Sequence, residues 1–320
     1  MQTRRLGRTG LQVSEVSLGS WLTFGNVVDV EGTATLVQQA YDLGINFFDT
    51  ADVYAGGKAE EALGRALQAI PRRHVVIATK CFFPLSEHPN DRGLSRKHIT
   101  ESVEASLRRL GTDYIDLHQC HRPDPTTPIE ETVCAYEDLI RQGKILYWGV
   151  SEWRAQHIVE ACGVADRRNA YRPVSNQPQY SIMRRQLERE VLPVSEREGL
   201  GQVVFSPLAQ GVLTGKYSAG ARPRDSRAAN DRVNQFMGAY LEEGELAKVD
   251  QLRPLADEVG ISLAQLALAW CLRQPGVSSV IVGATAPSQL EDNCKASGLR
   301  LPDEILDRID EIFPARPPQA

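Results

Sequence analysis

Four side chains in the first half of the chain combine a phenol, an ammonium, a carboxylate and an imidazole: Tyr54, Lys80, Asp49 and His121. Free tyrosine and lysine both titrate at about pH 10. A lysine ammonium beside a phenol favours the phenolate and lowers the pKa of the tyrosine, while an aspartate holds the lysine in place. Such an assembly would make Tyr54 a general acid close to neutral pH. A hydrogen bond from His121 would polarise a carbonyl oxygen as charge develops on it.

Each of these residues also has an ordinary structural explanation. Asp49 and Thr50 could cap the helix after a strand, Lys80 could lie on the surface at the start of a loop, and Tyr54 could serve packing. Titratable residues at strand ends are often structural, so none of them is persuasive alone. Four chemically complementary residues together favour catalysis.

A cluster of metal-ligand types occurs at His118, Cys120 and His121. In an extended strand His118 and Cys120 share one face, whereas His121 faces the other way. Three ligands arranged like this cannot converge without a bend, and no partner pair occurs elsewhere in the sequence. We therefore expect no metal site and interpret His118 as a buried or barrel-lining histidine.

The elements that must position these residues alternate between strand and helix along nearly the whole chain. Predicted strands cover residues 13–18, 45–48, 75–79, 114–120, 145–150, 174–176, 202–205 and 279–282. Predicted helices cover residues 33–43, 58–70, 96–110, 129–141 and 187–198, with a further apolar run at 263–272. Ser95 and Ser262 are suitable N-caps, and Gly44, Gly111, Gly143 and Gly199 fall where helices should end. Strict alternation indicates a parallel sheet with helical crossovers.

A polar or turn-forming residue follows each predicted strand, and these residues mostly recur at the spacing of about 30 residues that one βαβ step requires. Eight such units make a (β/α)8 barrel, whose active sites lie at the carboxyl ends of the strands. Asp49, Tyr54, Lys80 and His121 lie at or just beyond the ends of the second to fourth strands, so their side chains can share one pocket. A two-domain Rossmann protein would need a GxGxxG turn, and the sequence has none.

We therefore predict an α/β fold, a single TIM barrel spanning residues 1–320, with three additions. Residues 7–10 would join two short segments into an N-terminal β-hairpin. Residues 208–240 follow the seventh strand and predict a long loop over the barrel mouth, and residues 245–259 predict an extra helix. Residues 313–320 predict a loose tail.

Composition excludes several classes of protein. The chain has 36 basic and 41 acidic residues, a formal charge of −5 and no basic run, which gives no footing for nucleic acid or a membrane surface. No apolar stretch approaches the roughly 20 residues that span a bilayer, and no signal peptide is evident at the start. The 6 cysteines are scattered, which fits a reducing compartment. These features predict a cytoplasmic protein.

The chain resembles the aldo-keto reductase superfamily, and within it most of all the branch of voltage-gated potassium channel β subunits. The matching stretches are residues 44–54 (GINFFDTADVY), 92–98 (RGLSRKH), 122–125 (RPDP), 147–153 (YWGVSEW), 205–211 (FSPLAQG) with Lys216, and 282–285 (VGAT) with Gln289 and Asn293. They are spread over essentially the whole chain, and in combination they are highly specific.

The resemblance implies that the four residues first considered form the family's catalytic tetrad. It implies an NADP(H)-dependent oxidoreductase that reduces a small carbonyl substrate, an aldehyde or ketone, to the alcohol, with Tyr54 as general acid. It also implies a homo-oligomer, a tetramer by analogy with the channel branch. The aromatic substrate pocket would consist of Trp21, Tyr54, Phe82, Phe83 and Trp153. Ordinary packing under the loops is the other interpretation of these aromatic residues.

The resemblance further implies a cofactor site formed by the ends of several strands. Near the reacting end, cofactor contacts map onto Gly19, Ser20, Trp21, Asp49, Ser151, Glu152, Gln177 and, stacked on the nicotinamide, Phe205. The pyrophosphate maps onto Ser206, Pro207, Leu208, Gln210, Gly211 and Lys216. The adenosine maps onto Gly283, Thr285, Gln289, Asp292 and Asn293. Arg227 would bind the 2′-phosphate, for which a planar guanidinium is well suited, although Arg222 and Arg224 lie nearby.

Two departures from the branch pattern bear on function. Channel β subunits carry Asn where this chain has His121, so this chain keeps the tetrad of ordinary reductases. Thr285 and Gln289 replace charged positions of the nucleotide clamp, which leaves the strictness of NADP over NAD selectivity open.

Two other functions are compatible with the sequence. One is a class I aldolase with Lys80 as Schiff-base lysine, which Asp49 disfavours because that chemistry needs a neutral lysine. The other is a binding or regulatory subunit that holds nucleotide and docks on a membrane partner, as channel β subunits do, against which His121 favours turnover.

Overall fold

The computed structural model describes residues 1–218, 221–224, 226–230 and 233–315. Its strands are β1 (Thr3–Arg5), β2 (Gln12–Ser14), β3 (Val16–Gly19), β4 (Phe47–Asp49), β5 (Val76–Cys81), β6 (Ile115–Cys120), β7 (Ile145–Ser151), β8 (Ser175–Gln177), β9 (Gly201–Val204) and β10 (Val277–Val282). Its α-helices are α1 (Val30–Asp42), α2 (Lys58–Leu67), α3 (Arg96–Leu110), α4 (Ile129–Arg141), α5 (Ala155–Arg168), α6 (Val191–Glu198), α7 (Glu243–Glu258), α8 (Leu263–Leu272), α9 (Pro287–Cys294) and α10 (Asp303–Ile312).

Strands β3 to β10 close into a barrel in which every neighbouring pair is parallel, with β10 pairing β3 to complete the ring. The fold is thus the predicted (β/α)8 barrel, with β1 and β2 as the predicted antiparallel hairpin outside it. Lys80 on β5 stands beside Gln119 on β6, and Asp49 on β4 beside Ala78 on β5. Because side chains in register on adjacent strands point to the same face, Asp49, Ala78 and Lys80 all point into the barrel.

The barrel interior below the level of Lys80 is mainly apolar, with the buried serines Ser17 and Ser279 hydrogen-bonded to each other at 3.0 Å. Its buried apolar side chains come from five strands and from the hairpin: Leu6, Val13, Phe47, Val76, Ala78, Leu117, Val203 and Ile281. Leu6 and Val13 belong to the hairpin and are completely buried, so the hairpin closes the end of the barrel where the strands begin. The opposite end, where the strands finish, is the open mouth.

The helices form the outer layer and begin and end largely where the sequence predicts. The Ser95 hydroxyl accepts a hydrogen bond from the His98 amide at the start of α3, and Gly111 ends this helix in the left-handed conformation, which costs glycine little. Ser262 and Gln265 form a reciprocal capping box at the start of α8. The bounds of α3, α4 and α8 equal the predicted ones.

The predicted first strand, residues 13–18, is wrong in one respect: it is two strands, β2 and β3, separated at Glu15. The Ser14 hydroxyl donates to the Val16 carbonyl at 2.7 Å, and the Glu15 carboxylate lies 2.7 Å from the Arg4 guanidinium. These side-chain contacts turn the chain between the two strands, so that β2 pairs with β1 in the hairpin and β3 pairs with β10 in the barrel.

The described residues of the predicted loop 208–240, which are 208–218, 221–224, 226–230 and 233–240, run along the mouth, with short 3-10 turns at Ala209–Thr214, Arg227–Ala229 and Gly238–Tyr240. The predicted extra helix is α7. Phe313, the first residue of the predicted tail, is buried, and its carbonyl accepts a hydrogen bond from Arg185. Residues 316–320 of that tail lie outside the described residues.

Within the described ranges, no single helix has the length and apolar character needed to cross a membrane. Helices α7 and α8 together meet the length and composition criteria, but they are bent by 89° at the break between them.

Candidate active site

The barrel mouth holds a cavity of about 1310 Å³. Pockets for drug-sized ligands usually measure roughly 300–1,000 Å³, so this cavity has room for a larger ligand or for two ligands together. Every position predicted to bind cofactor lines it except Ser20, and so do Tyr54 and His121 of the tetrad. Lys80 does not line it, because it lies completely buried beneath the cavity floor.

Asp49 and Lys80 form a buried ion pair at the top of the barrel interior. Lys80 Nζ donates to Asp49 Oδ1 at 2.7 Å and to the Thr50 carbonyl at 2.6 Å. The other carboxylate oxygen of Asp49 accepts from Gln177 Nε2 at 2.8 Å. Burial lowers the pKa of Lys80, while the adjacent Asp49 carboxylate acts in the opposite direction. The alternatives of a surface lysine and of a helix cap at Asp49 are therefore wrong.

Tyr54 and His121 lie above this pair on the cavity wall. The Tyr54 hydroxyl is 3.4 Å from His121 Nε2, and the two rings meet edge to face. Lys80 Nζ lies 5.1 Å from the centroid of the Tyr54 ring. The structure thus brings all four tetrad residues together, with the two hydrogen-bonding groups, the phenol and the imidazole, facing the cavity.

The pKa of Tyr54 differs from the sequence-based expectation that Lys80 lowers it. Burial, and next the Asp49 carboxylate, hold the pKa of Tyr54 well above its ordinary value of 10.0. Lys80 does not produce the expected lowering because its ammonium is already bound to Asp49 and Thr50. Tyr54 is therefore a neutral, proton-carrying phenol. Burial also lowers the pKa of His121 well below 6.5, so its imidazole is neutral at pH 7.

The strand ends beside the tetrad carry the residues predicted at the nicotinamide end. The Ser151 hydroxyl donates to the Gln177 carbonyl at 2.8 Å, which ties the ends of β7 and β8 together. Glu152 has a positive φ of 57° and accepts from the Gln179 amide at 2.6 Å. Phe205 lines the same region.

The loop after β9 contains the residues predicted at the pyrophosphate and the 2′-phosphate. Gln210 Nε2 donates to the Ser206 hydroxyl at 2.6 Å, and its side-chain oxygen accepts from Arg227. The Ser226 hydroxyl beside Arg227 is buried in the cavity wall without a partner among the described residues. A hydroxyl, a guanidinium and the Lys216 ammonium on one wall fit an anionic ligand.

Backbone strain concentrates around the same cavity. In the described part of the chain seven non-glycine residues have a positive φ, and five of them line the cavity: Leu22, Ala55, Glu152, Ser206 and Gln210. Such conformations are uncommon and persist where the surrounding structure imposes them, often at ligand sites. No sequence pattern indicated this.

The far end of the cavity matches the residues predicted at the adenosine. The Thr285 amide donates to Gln289 Oε1 at 2.9 Å, which turns Gln289 back towards the start of α9. Asp292 accepts from the Ser262 hydroxyl at 2.8 Å, which fixes α9 against α8. Gly283 and the buried Asn293 complete this wall.

The predicted aromatic pocket is only partly formed. Trp21, Tyr54 and Phe83 line the cavity, whereas Phe82 and Trp153 do not. Trp153 is buried, and its ring meets His157 edge to face, away from the lining. Phe82 packs against Phe83 and the core. Other residues of the cavity wall were not predicted from the sequence: Arg122, Gln179, Arg184, Phe236 and Tyr240.

His118 lies on the outer face of β6, where its Nδ1 is 2.9 Å from the Tyr136 hydroxyl. It is completely buried, which confirms its interpretation as a buried histidine, and burial lowers its pKa to about 3. The described residues contain no group of three or more His, Cys, Asp or Glu side chains arranged to hold a metal ion.

Comparison with known proteins gives a consistent result. The family model described as "Aldo/keto reductase family" matches residues 15–313. A protein of Arabidopsis thaliana named "Probable voltage-gated potassium channel subunit beta" is 48% identical over 322 residues, covering 99% of this chain and 98% of that protein. A protein of the same name from Oryza sativa subsp. japonica gives the same figures. A "Putative voltage-gated potassium channel subunit beta" of Schizosaccharomyces pombe is 46% identical, with 97% and 92% covered.

Proposed function

Since this chain belongs to the aldo/keto reductase family, we propose that it is an NADP(H)-dependent oxidoreductase that reduces an aldehyde or ketone to the alcohol. Family membership supports the oxidoreductase role, and members generally bind NAD(P)H. The observation that carries the proposal of NADP(H)-dependent carbonyl reduction is the geometry at the inner end of the cavity. There the Tyr54 hydroxyl and His121 Nε2 lie 3.4 Å apart in the cavity wall, above the buried Asp49–Lys80 pair.

The cofactor, when bound, supplies the hydride to the carbonyl carbon. Tyr54 donates its phenolic proton to the carbonyl oxygen, and its raised pKa keeps that proton in place until charge develops on the substrate. The neutral imidazole of His121 donates a hydrogen bond to the same oxygen. The Lys80 ammonium lies 5.1 Å from the centroid of the Tyr54 ring and holds Asp49 and the Thr50 carbonyl in place beside the phenol.

The cofactor would be held by the cavity-lining residues described above. We propose Ser151, Glu152, Gln177 and Phe205 for the nicotinamide end and Lys216 with the 206–211 turn for the pyrophosphate. Arg227 would bind the 2′-phosphate. The unpartnered Ser226 hydroxyl next to it supports this assignment, because a buried polar atom without a partner is costly unless a ligand satisfies it.

Schiff-base chemistry at Lys80 is disfavoured by its surroundings. The ammonium is completely buried, does not reach the cavity lining and donates to Asp49 and Thr50. A second candidate function, a nucleotide-holding regulatory subunit, is favoured by the names of the three relatives, which are 46–48% identical to this chain. His121 favours the reductase instead, because its imidazole can donate a hydrogen bond to the oxygen of a reacting carbonyl.

The test is NADPH consumption by the purified protein with a panel of aldehydes and ketones, with the alcohol identified as product. Turnover that tracks alcohol formation would support a reductase. Tight NADPH binding without consumption across the panel would favour the regulatory subunit and overturn the reductase proposal.

We further propose that residues 1–320 act as one reductase domain in the cytoplasm, with residues 208–240 covering the cofactor and no nucleic-acid or membrane partner. The 6 free cysteines are compatible with a reducing compartment. The tetramer rests on the resemblance to the channel branch, and light scattering of the purified protein tests it.

A further inference from the structure

Arg122 is a cation at the reacting end of the cavity that the tetrad does not use. It directly follows His121, is half-buried and lines the cavity. Its Nη1 donates to the His121 carbonyl at 2.6 Å and lies 3.5 Å from the Ser151 hydroxyl. Its Cζ lies 5.4 Å from the centroid of the Phe83 ring. The guanidinium is therefore held at a fixed place on the cavity wall.

No carboxylate of the described chain neutralises this guanidinium. Acidic groups of this region have other partners: Asp49 binds Lys80 and Gln177, Asp124 accepts from Leu94, Thr126 and Thr127, and Glu152 accepts from the Gln179 amide. Arg122 forms no ion pair with any residue that the structure describes, and its Nε and Nη2 have no hydrogen-bond acceptor there. Since arginine stays charged at every relevant pH, the cavity contains an unneutralised cation.

The guanidinium lies close to the groups that act on the carbonyl. The Phe83 ring contacts both Arg122 and the His121 ring, whose centroid is 4.8 Å away, and His121 contacts the Tyr54 hydroxyl. The charge of Arg122 acts on both groups, as expected at short range. Burial raises the pKa of Tyr54 and lowers that of His121, and the Arg122 guanidinium lowers the pKa of both. A substrate oxygen held by Tyr54 and His121 therefore places the next few atoms of the substrate beside Arg122.

We propose that Arg122 binds a carboxylate of the substrate, so that the preferred substrates are oxo-acids whose carboxylate lies a few bonds from the carbonyl. The planar fork of donors in arginine matches the two oxygens of a carboxylate. This inference rests on the proposed reductase function and narrows its substrate class.

The test compares two aldehydes of equal chain length, succinic semialdehyde and butanal, in the wild-type protein and in Arg122→Met, which removes the charge at similar length. A charged hydrogen bond is worth roughly 1.5–3 kcal/mol, so the variant should lose about 10- to 100-fold in kcat/KM for the semialdehyde, mainly through KM. Butanal reduction and the KM for NADPH should change less than about threefold on the same basis. Arg122→Lys should recover part of the loss.

A matched control is Arg184→Met, which removes a second cavity-lining guanidinium whose Cζ lies 5.0 Å from the Tyr240 ring. It should leave the preference for the semialdehyde intact. Equal losses for both aldehydes in Arg122→Met would show a merely structural role and overturn the proposal. The proposal would also be overturned if the wild-type protein showed no preference for the semialdehyde over butanal. The same holds if only Arg184→Met lost this preference.

Binding of benzoate, which cannot be reduced under these conditions, separates this inference from the proposed function. The binding is followed by tryptophan fluorescence, since Trp21 lines the cavity. Benzoate should bind the NADPH-loaded wild-type protein at least tenfold more tightly than Arg122→Met. If neither aldehyde is reduced but this difference holds, the reductase proposal fails and the carboxylate site stands. If butanal is reduced but benzoate binding is absent or equal in both proteins, the carboxylate site fails alone.

Discussion

The Nζ atom of Lys80 lies 2.7 Å from Oδ1 of Asp49, and the two side chains are only 0% and 4% exposed. Two opposite charges are thus enclosed together at the point where the apolar barrel interior meets the cavity. A buried ion pair contributes little net stability when intact, but removing either partner leaves the other as an uncompensated buried charge, which is strongly destabilising.

Removing one member of this pair should therefore destabilise the fold strongly. Lys80→Met leaves the Asp49 carboxylate buried with Gln177 alone and should reduce the free energy of unfolding by about 3–5 kcal/mol. The double variant Asp49→Asn/Lys80→Met should lose less than the sum of the single variants. Urea-induced unfolding measures both. The control is Lys97→Met, because the Lys97–Glu101 pair is 55% and 56% exposed and should be worth about 0.3–0.5 kcal/mol. Additive losses would contradict the pairing.

Tyr54→Phe should abolish most carbonyl reduction while NADPH binding persists. Loss of a positioned general acid typically costs about 10²–10⁴-fold in rate, and the ring itself stays to pack above Lys80. Steady-state kinetics together with NADPH titration would separate the two effects. Tyr171→Phe, at an exposed tyrosine outside the cavity, should behave as wild type. A Tyr54→Phe protein near the wild-type rate would remove Tyr54 from the mechanism.

The raised pKa of Tyr54 predicts a reduction rate that is insensitive to pH across neutrality. Burial and the Asp49 carboxylate disfavour the phenolate, so the phenol keeps its proton as the pH rises through 10.0. A profile of kcat/KM against pH should therefore show no loss from Tyr54 ionisation between about pH 6 and pH 9. The prediction would be contradicted by an alkaline limb near pH 7 or 8 that disappears in a variant at Tyr54.

Arg227→Ala should weaken NADPH binding by about tenfold or more and leave NADH binding nearly unchanged, because only NADPH carries a 2′-phosphate for a charged hydrogen bond. Fluorescence titration with both nucleotides measures this. Arg222→Ala and Arg224→Ala are the matched controls in the same loop and should keep the preference. An equal loss for both nucleotides would mean that Arg227 only supports the loop through its contact with Gln210.

Asp52 should make the protein less stable as the pH rises. Burial raises the pKa of its carboxyl from 3.8 to about 7, one oxygen accepts from Ser102 at 2.8 Å, and the other is buried without a partner among the described residues. The folded state thus keeps a proton that the unfolded state releases. The resulting stabilisation is complete below pH 3.8 and is lost as the pH rises to 7.

Asp52→Asn mimics the protonated side chain and should gain stability relative to wild type over this same interval. Urea unfolding at pH 5 and pH 8 should show a larger advantage of the variant at pH 8. A difference between the two proteins that does not change with pH would show that Asp52 ionises normally in the folded state.

Much of the fold follows from local signals that the sequence carries directly. The apolar strands end in polar residues, and glycines such as Gly111 and Gly199 adopt the left-handed conformation where their helices end. The split between β2 and β3 could not be predicted, because it depends on the contact between Glu15 and Arg4 from a neighbouring strand.

Residues of the candidate site such as Asp49 and His121 could be predicted, because their residue type and their position at a strand end were enough to identify them. The raised pKa of Tyr54 could not be predicted from the sequence. It results from burial and from the Asp49 carboxylate, while the charge of Lys80 is already paired with Asp49. Trp153 follows the end of β7 in sequence, but its side chain packs away from the cavity. Arg122 belongs to the matching stretch at residues 122–125, but no role was predicted for it, because its unneutralised charge appears only once its neighbours are placed.

The hairpin formed by β1 and β2 has a practical consequence for attaching this protein to a solid support. It closes the end of the barrel opposite the mouth, and Met1 at its start is 40% exposed. A linker at Met1 would therefore hold the molecule with its cavity facing away from the support. An electrode or resin loaded in this orientation would leave the barrel mouth open to the solution.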